Sequence, residues 1–312
     1  MILTVTLNTA LDVIYRVPRL LAHASHRVSD VTERAGGKGL NVARVLAATG
    51  HEVTATGFAG GRTGALVREL LAGSPGVRDE LVPCAGTTRR TLAVVDEASG
   101  DTTQFNEPGP PITTAEWSRF LSRYEALLAG DARAVALCGS LPPGVPVGAY
   151  AVLVRAARAA GVPVLLDTSG EALRRGVAAR PDMIKPNAAE LAELTGSRDP
   201  LPATRDARRR GAHAVITSLG PGGLLATTAG GTWQAAPPRT LAGNPTGAGD
   251  SAVAGLLSAL TEGLDWPDRL TRAVALSAAT VAAPTAGEFD PRTYEEVRGS
   301  VKVTAVPAVT AG

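Results

Sequence analysis

Short apolar runs alternating with longer helical stretches predict an α/β fold, a mostly parallel central sheet with helices on both faces. Two observations carry this. Brief apolar runs bounded by turn residues recur at 2–6, 53–58, 134–137, 162–166, 183–184, 214–217 and 223–227. Helical patterns fall between most of them, at 39–48, 64–72, 115–128, 147–160, 190–194 and 203–211, and continue at 250–260 and 268–283. A third observation adds a second layer. Extended patterns at 12–18 and 26–32, and at 89–95 and 101–107 joined by the turn 96–100, have no helices between them.

The elements follow in order from their residues. The chain enters a strand at Ile2 without a charged leader pattern, so no secretory signal is read and a cytoplasmic protein is expected. The loop Gly36-Gly37-Lys38-Gly39 opens a helix whose buried face is Leu40, Val42, Ala43, Leu46 and Ala47. The four extended segments, about 12–34 and 88–108, are too short to hold a core of their own. They read as a small lid sheet inserted in one α/β body spanning 1–312. Val13, Tyr15 and Val17 fall on one face of their strand, as do Leu92 and Val94, which gives the lid an apolar face. A small sheet with a wet apolar face is unstable in water, so pairing with a second copy is expected. The segment holding Pro237 and Pro238 and the last ten residues read as loop and tail.

Composition narrows the class. A net charge of +2, from 31 basic and 29 acidic groups, argues against a nucleic-acid or membrane surface built on bulk charge. Arg208, Arg209 and Arg210 read as the solvated end of a helix. No apolar run approaches a membrane span, and Cys84 and Cys138 suit a reducing compartment better than a disulfide framework. Only three of the basic residues are lysines, and two of them, Lys38 and Lys185, sit inside short motifs. A compact ammonium serves as a point charge for phosphate where a forked guanidinium does not fit.

The motif richest in chemistry is Asn244-Pro245-Thr246-Gly247-Ala248-Gly249-Asp250-Ser251, leading into an apolar helix. Small residues at Gly247, Ala248 and Gly249 let the backbone present consecutive N–H groups at a helix N-terminus, an anion site. Asp250 at the end of such a nest reads either as an N-cap or as a base facing a hydroxyl that must lose its proton. The Gly36 loop is neither a Walker A loop, since no Ser or Thr follows Lys38, nor a dinucleotide fingerprint.

Five segments together resemble the ribokinase-like (PfkB) carbohydrate kinases, in the branch of 1-phosphofructokinase, tagatose-6-phosphate kinase and the minor 6-phosphofructokinases. They are Thr6-Leu7-Asn8-Thr9-Ala10-Leu11-Asp12, the loop at 36–44, Gly139-Ser140-Leu141-Pro142-Pro143-Gly144, Lys185-Pro186-Asn187 with Glu190, and Thr246-Gly247-Ala248-Gly249-Asp250. The resemblance implies a three-layer α/β/α fold with a β-sheet lid. It implies transfer of the γ-phosphate of ATP, with Mg2+, to a hydroxyl of a ketohexose phosphate, fructose 1-phosphate first among them.

By that resemblance Asp250 is the base, held ionised by the helix N-terminus, and Gly247, Ala248 and Gly249 form the anion hole. Asn187 and Glu190 organise magnesium through water beside Lys185. Ser218, Gly220, Gly223 and Thr246 serve the nucleotide, although 218–223 also reads as a hairpin turn. The stretches 278–283 and 284–287 flank the adenine. Asp12, Gly36, Gly37, Asn41 and Ser140 hold the sugar, and Lys38, Arg27 and Arg89 hold its phosphate, with Arg90 competing with Arg89. Arg27, on a lid strand, serves either its own site or the neighbour's in a lid-to-lid homodimer. The other readings are a 6-phosphofructokinase or tagatose-6-phosphate kinase, a kinase of an unphosphorylated sugar or nucleoside, and a ligand-binding relative without turnover.

Overall fold

A computed structural model describes residues 1–307 except Ser29, Ala242 and Pro284. Ser29 falls in the expected 26–32 strand, Pro284 in the expected adenine wall and 308–312 in the expected tail; these lie outside the described residues.

The chain begins with β1 (Ile2–Thr6), then sends out β2 (Ala10–Val17) and β3 (Asp30–Gly36) before α1 (Lys38–Ala48) returns to the body. Next come β4 (Val53–Ala59), α2 (Gly61–Ala72) and two short edge strands, β5 (Val77–Asp79) and β6 (Val82–Pro83). A second excursion forms β7 (Arg89–Asp96) and β8 (Thr102–Asn106). From there helix and strand alternate: α3 (Thr114–Leu128), β9 (Ala134–Cys138), α4 (Ala149–Ala159), β10 (Val164–Asp167), α5 (Gly170–Ala178), β11 (Met183–Ile184). Two helices, α6 (Ala188–Thr195) and α7 (Pro200–Arg209), precede β12 (Ala214–Ser218), β13 (Leu224–Thr227) and β14 (Thr232–Ala236). The chain closes with α8 (Ala248–Thr261), α9 (Trp266–Val281), α10 (Pro291–Arg298) and β15 (Lys302–Ala305).

Among the described residues the large sheet has eleven strands, ordered β15-β14-β13-β12-β11-β10-β9-β1-β4-β5, with β6 also on β4. From β12 to β5 the pairs are parallel, and β12 to β15 are antiparallel. Every residue of β1 is buried, because helices cover both faces. Leu3 and Val5 pack with Phe120, Tyr124 and Leu153, whereas Ile2, Ala134 and Ala136 pack with Leu40, Val253 and Leu256 of α1 and α8. Each such buried Leu, Ile, Val or Phe side chain contributes about 1.5–3 kcal/mol. This clamps α1 and α8 against the carboxyl ends of β1, β9 and β10, where ligands of parallel sheets bind.

The lid is a four-stranded sheet, β3-β2-β7-β8. Its second strand differs from expectation: it runs Asp30–Gly36, not 26–32, because Gly36 and Ala35 pair with Ala10 and Leu11 at the base of β2. The apolar face is also less open than its pattern suggests. Leu11 and Ala35 are buried with Val67 and Leu71 of α2, Val13 packs on the same cluster, and Val94 is 8% exposed. The open apolar side chains are Val31 and Phe105, on the two outer strands. Part of the expected tail forms β15, and β14, α5 and α10 were not expected. Segment 218–223 is a hairpin turn, with a 3-10 turn at Gly220–Gly222 between β12 and β13. No helix among the described residues is long and apolar enough to cross a membrane.

Candidate active site

Between the lid and the carboxyl ends of the central strands lies a cleft of about 620 Å3. Two helices begin at its wall without a side-chain cap. Gly37 precedes α1 and Gly247 precedes α8, each at positive φ (104° and 85°), where other residues are strained. A Cβ on Gly247 would come 2.8 Å from that of Ala286. Both helices therefore aim unsatisfied N–H groups and the positive end of the helix dipole at one space.

Asp250, in the first turn of α8, is 7% exposed and accepts a hydrogen bond from Asn41 Nδ2 at 2.8 Å. Its environment departs from the expectation that the helix end holds the carboxyl low. Burial pushes it up to about 6, with Lys38, Asn41 and Lys185 opposing and the like charge of Asp167 assisting. It remains ionised above that value.

Asp167, at the end of β10, is the residue that sequence reasoning missed. It lies 1% exposed between two lysines, with Lys38 Nζ at 3.3 Å and Lys185 Nζ at 3.5 Å. Burial alone would raise its carboxyl, but Lys185 and Lys38 outweigh burial and hold it below the usual range. Asp167 in turn raises Lys38 and keeps it charged. A signal existed: Asp167 ends an otherwise apolar parallel strand on the side where ligands bind.

The lid wall carries Asp12, Arg89, Thr91, Gln104 and Asn106. Gly36 lies under Asp12, where any Cβ would overlap the carboxyl. Burial pushes Asp12 up to about 6 against the pull of Arg44 and Arg89. Arg89 donates to the backbone of Asn8 (3.2 Å) and Glu107 (3.1 Å) and lines the cleft, while Arg90 pairs with Glu107 outside it. Ser140 Oγ accepts from Asn8 Nδ2 at 3.0 Å.

The cleft thus gathers Asp12, Gly37, Lys38, Asn41, Arg89, Ser140, Lys185, Asn187, Glu190, Ser218, Thr246, Gly247, Gly249 and Asp250. Gly36 lies behind Asp12, and Ala248 does not line the cleft. Gly220 and Gly223 do not line it, and Gly223 has a structural reason of its own, since a Cβ there would run into the Ala235 carbonyl. Arg27 is exposed in the segment before β3 and does not reach the cleft of its own chain. Asn187 and Glu190 form a reciprocal capping box on α6, each backbone N–H donating to the other's side chain at 2.8 Å. A larger cavity of about 770 Å3 lies behind Arg44, toward α2 and the start of α10.

Residues 3–292 match the pfkB family of carbohydrate kinases. The chain belongs to that family. It is 41% identical over 281 residues to a 1-phosphofructokinase of Rhodobacter capsulatus, covering 88% of this chain and 89% of that one. Phosphofructokinase-2 of Escherichia coli, solved with fructose-6-phosphate, superposes with a TM-score of 0.86 at 30% identity, covering 96% of this chain and 98% of that one. A possible 1-phosphofructokinase of Thermotoga maritima gives 0.86 at 26% identity, covering 98% and 100%. This pfkB kinase is therefore a phosphotransferase with an alcohol group as acceptor, built on the ribokinase-like α/β fold.

Proposed function

We propose that this pfkB kinase is a 1-phosphofructokinase, transferring the γ-phosphoryl group of ATP to the free primary hydroxyl of fructose 1-phosphate within one catalytic unit. The observation that carries the reading is Asp250, buried in the first turn of an uncapped helix beside the Asp167-linked Lys38 and Lys185. Phosphoryl transfer needs in-line positioning, neutralisation of the charge on the equatorial oxygens and a base for the hydroxyl proton. In this reading Asp250 takes the proton, the Gly247 turn and Lys185 receive the transferred group, and Asp12 and Asn41 orient the sugar hydroxyls. Lys38 and Arg89 supply cationic charge, Arg89 for the phosphate already on the sugar. The 41% identity to a 1-phosphofructokinase supports this acceptor.

The neighbour solved with fructose-6-phosphate favours a second reading with that acceptor. ATP enters along Ser218 and Thr246, which line the cleft beside Gly247. Among the described residues no cluster of three acidic, His or Cys side chains forms a protein cage for a metal. Glu190 and Asn187 at the cleft edge fit the water-mediated hold that Mg2+ favours. Bound there, Mg2+ would neutralise phosphate charge. Free thiols at Cys84 and Cys138 support a cytoplasmic enzyme, and Val31 and Phe105 support a lid-to-lid homodimer.

ADP release measured with fructose 1-phosphate, fructose 6-phosphate, tagatose 6-phosphate, fructose and ribose tests the reading. The highest kcat/KM is expected on fructose 1-phosphate. Turnover confined to unphosphorylated sugars would overturn it.

A further inference from the structure

Behind the cleft, Arg44 of α1 makes a set of contacts that no substrate requires. Its Nη2 donates to Asn41 Oδ1 at 2.6 Å and to the Ala286 carbonyl at 3.3 Å, and its Nη1 donates to the Ala35 carbonyl. Ala35 belongs to lid strand β3, and Ala286 packs on the Gly247 turn. One turn earlier on α1, the same Asn41 amide donates through Nδ2 to Asp250. An amide can face either way; here the guanidinium, which only donates, and the ionised carboxylate, which only accepts, fix it from opposite sides. With Oδ1 held by Arg44, Nδ2 must face Asp250. Arg44 is absent from the cleft lining and lines the larger cavity behind it.

We infer that Arg44 is a positioning residue that acts through Asn41: it fixes the amide so that Nδ2 donates to Asp250, and it ties that setting to lid strand β3. The inference rests on Asp250 being the base. Without Arg44 only the ionised Asp250 carboxylate holds the amide, and once Asp250 is protonated Asn41 can flip its oxygen onto the acid O–H, which favours the protonated form. Other charges facing Asp250 are unaffected by the flip: Lys38 on α1, Asp167 at the end of β10, Lys185 after β11 and the Cys138 thiol at the end of β9. Arg44 also holds Asp12 down, and that effect is read in KM for the sugar, so at saturating sugar a change in the acid limb of kcat reports the Arg44–Asn41 contact and the loss of the Arg44 charge itself.

A double-mutant cycle separates these effects. Arg44→Met, Asn41→Ala and the double variant are assayed for kcat, KM of both substrates and the pH profile of kcat, per folded enzyme measured by circular dichroism melting. Arg44→Met is expected to lower kcat by about tenfold or more, the scale of a misplaced catalytic group, with little change in KM for ATP. Its acid limb moves to higher pH. In the Asn41→Ala background the same substitution is expected to cost less than about twofold. Should Arg44→Met fail to fold, Arg44→Lys, which keeps the charge and loses the fork, replaces it in the cycle.

Equal factors in both backgrounds, or a lowered melting point with an unmoved acid limb, would overturn the role of Arg44 and leave the base assignment standing. Wild-type turnover by Asp250→Asn would remove the base assignment, and this inference with it.

Discussion

The two walls of the cleft each carry a carboxyl pushed up to about 6, Asp250 on the body and Asp12 on the lid. Burial is the leading cause in both, but the counter-charges differ. Asp250 faces ammonium groups that it shares with Asp167, which lies between Lys38 and Lys185. Asp12 is flanked by guanidinium groups, Arg44 and Arg89, the latter on lid strand β7. The body wall is set by α1, α8, β10 and the turn after β11, all clamped on the central sheet. The lid wall depends on where four thin strands lie. This contrast suggests a division of labour: chemistry on the body wall, sugar recognition on the lid wall.

The largest expected effect breaks the body wall. Asp250→Asn should lower kcat by roughly two to four orders of magnitude with ATP affinity preserved, as measured by ADP release and calorimetric titration. Stability should move the other way. A carboxyl raised above its unfolded value binds more protons in the native state between the two values. The charged form therefore costs the fold stability as pH rises through about 6. Asp250→Asn is expected to melt higher than wild type at pH 8, with that advantage gone below about pH 4, the unfolded carboxyl range. Unchanged turnover would end the base assignment.

Asp167→Asn tests why the two buried body carboxyls differ. It leaves Lys185, 4% exposed, without its close carboxylate. Breaking a buried pair in this way costs about 3–5 kcal/mol, readable by denaturant unfolding. In the folded fraction Asp250 loses a like charge, so the acid limb of kcat should shift to lower pH. An upward shift would mean that the lysines follow Asp167 rather than Asp250.

How much of this was legible beforehand follows from the same contrast. The turns at Gly37 and Gly247 were readable because a backbone at positive φ beside a ligand demands glycine. Asp167 carried no motif around it, and its role comes from two lysines brought across the sheet from distant segments. Gly223 shows the opposite: its glycine has a local reason, close contact with Ala235 on the next strand, that no motif announces. The lid strand at 30–36 was misplaced because its pairing with β2, not its own alternation, sets its ends. Strands β14 and β15, at the antiparallel end of the sheet, are short and partly exposed, so they lack the apolar run that marks a central strand.

On the lid wall the expected effects are smaller and fall on KM. Arg89→Ala should raise KM for the sugar phosphate about tenfold to a hundredfold, the scale of a charge-assisted contact at about 1.5–3 kcal/mol, with KM for ATP little changed. An equal rise in both would place Arg89 at the nucleotide instead. KM for the sugar is also expected to climb as pH falls through about 6, where Asp12 becomes protonated. Asp12→Asn should remove that dependence.

The smallest effect on turnover is expected at the lid's outer strands, and it tests whether the lid wall needs a neighbour. Val13 and Val94 are already covered from within the chain, so charge there would disturb the monomer itself. Val31 and Phe105 stand 52% and 58% exposed on opposite edges of the lid sheet, separated by β2 and β7. A second lid laid across the sheet would bury both. Val31→Glu and Phe105→Glu should therefore shift sedimentation from dimer toward monomer while leaving the melting point nearly unchanged, with turnover reduced a few-fold. Arg27, outside the cleft of its own chain, supplies the internal control. Arg27→Ala should raise KM for the sugar phosphate in the dimer and have no effect on the monomeric Val31→Glu enzyme. A monomeric wild type at assay concentrations, fully active, would show that the lid closes without a partner and that Arg27 has no part in the site.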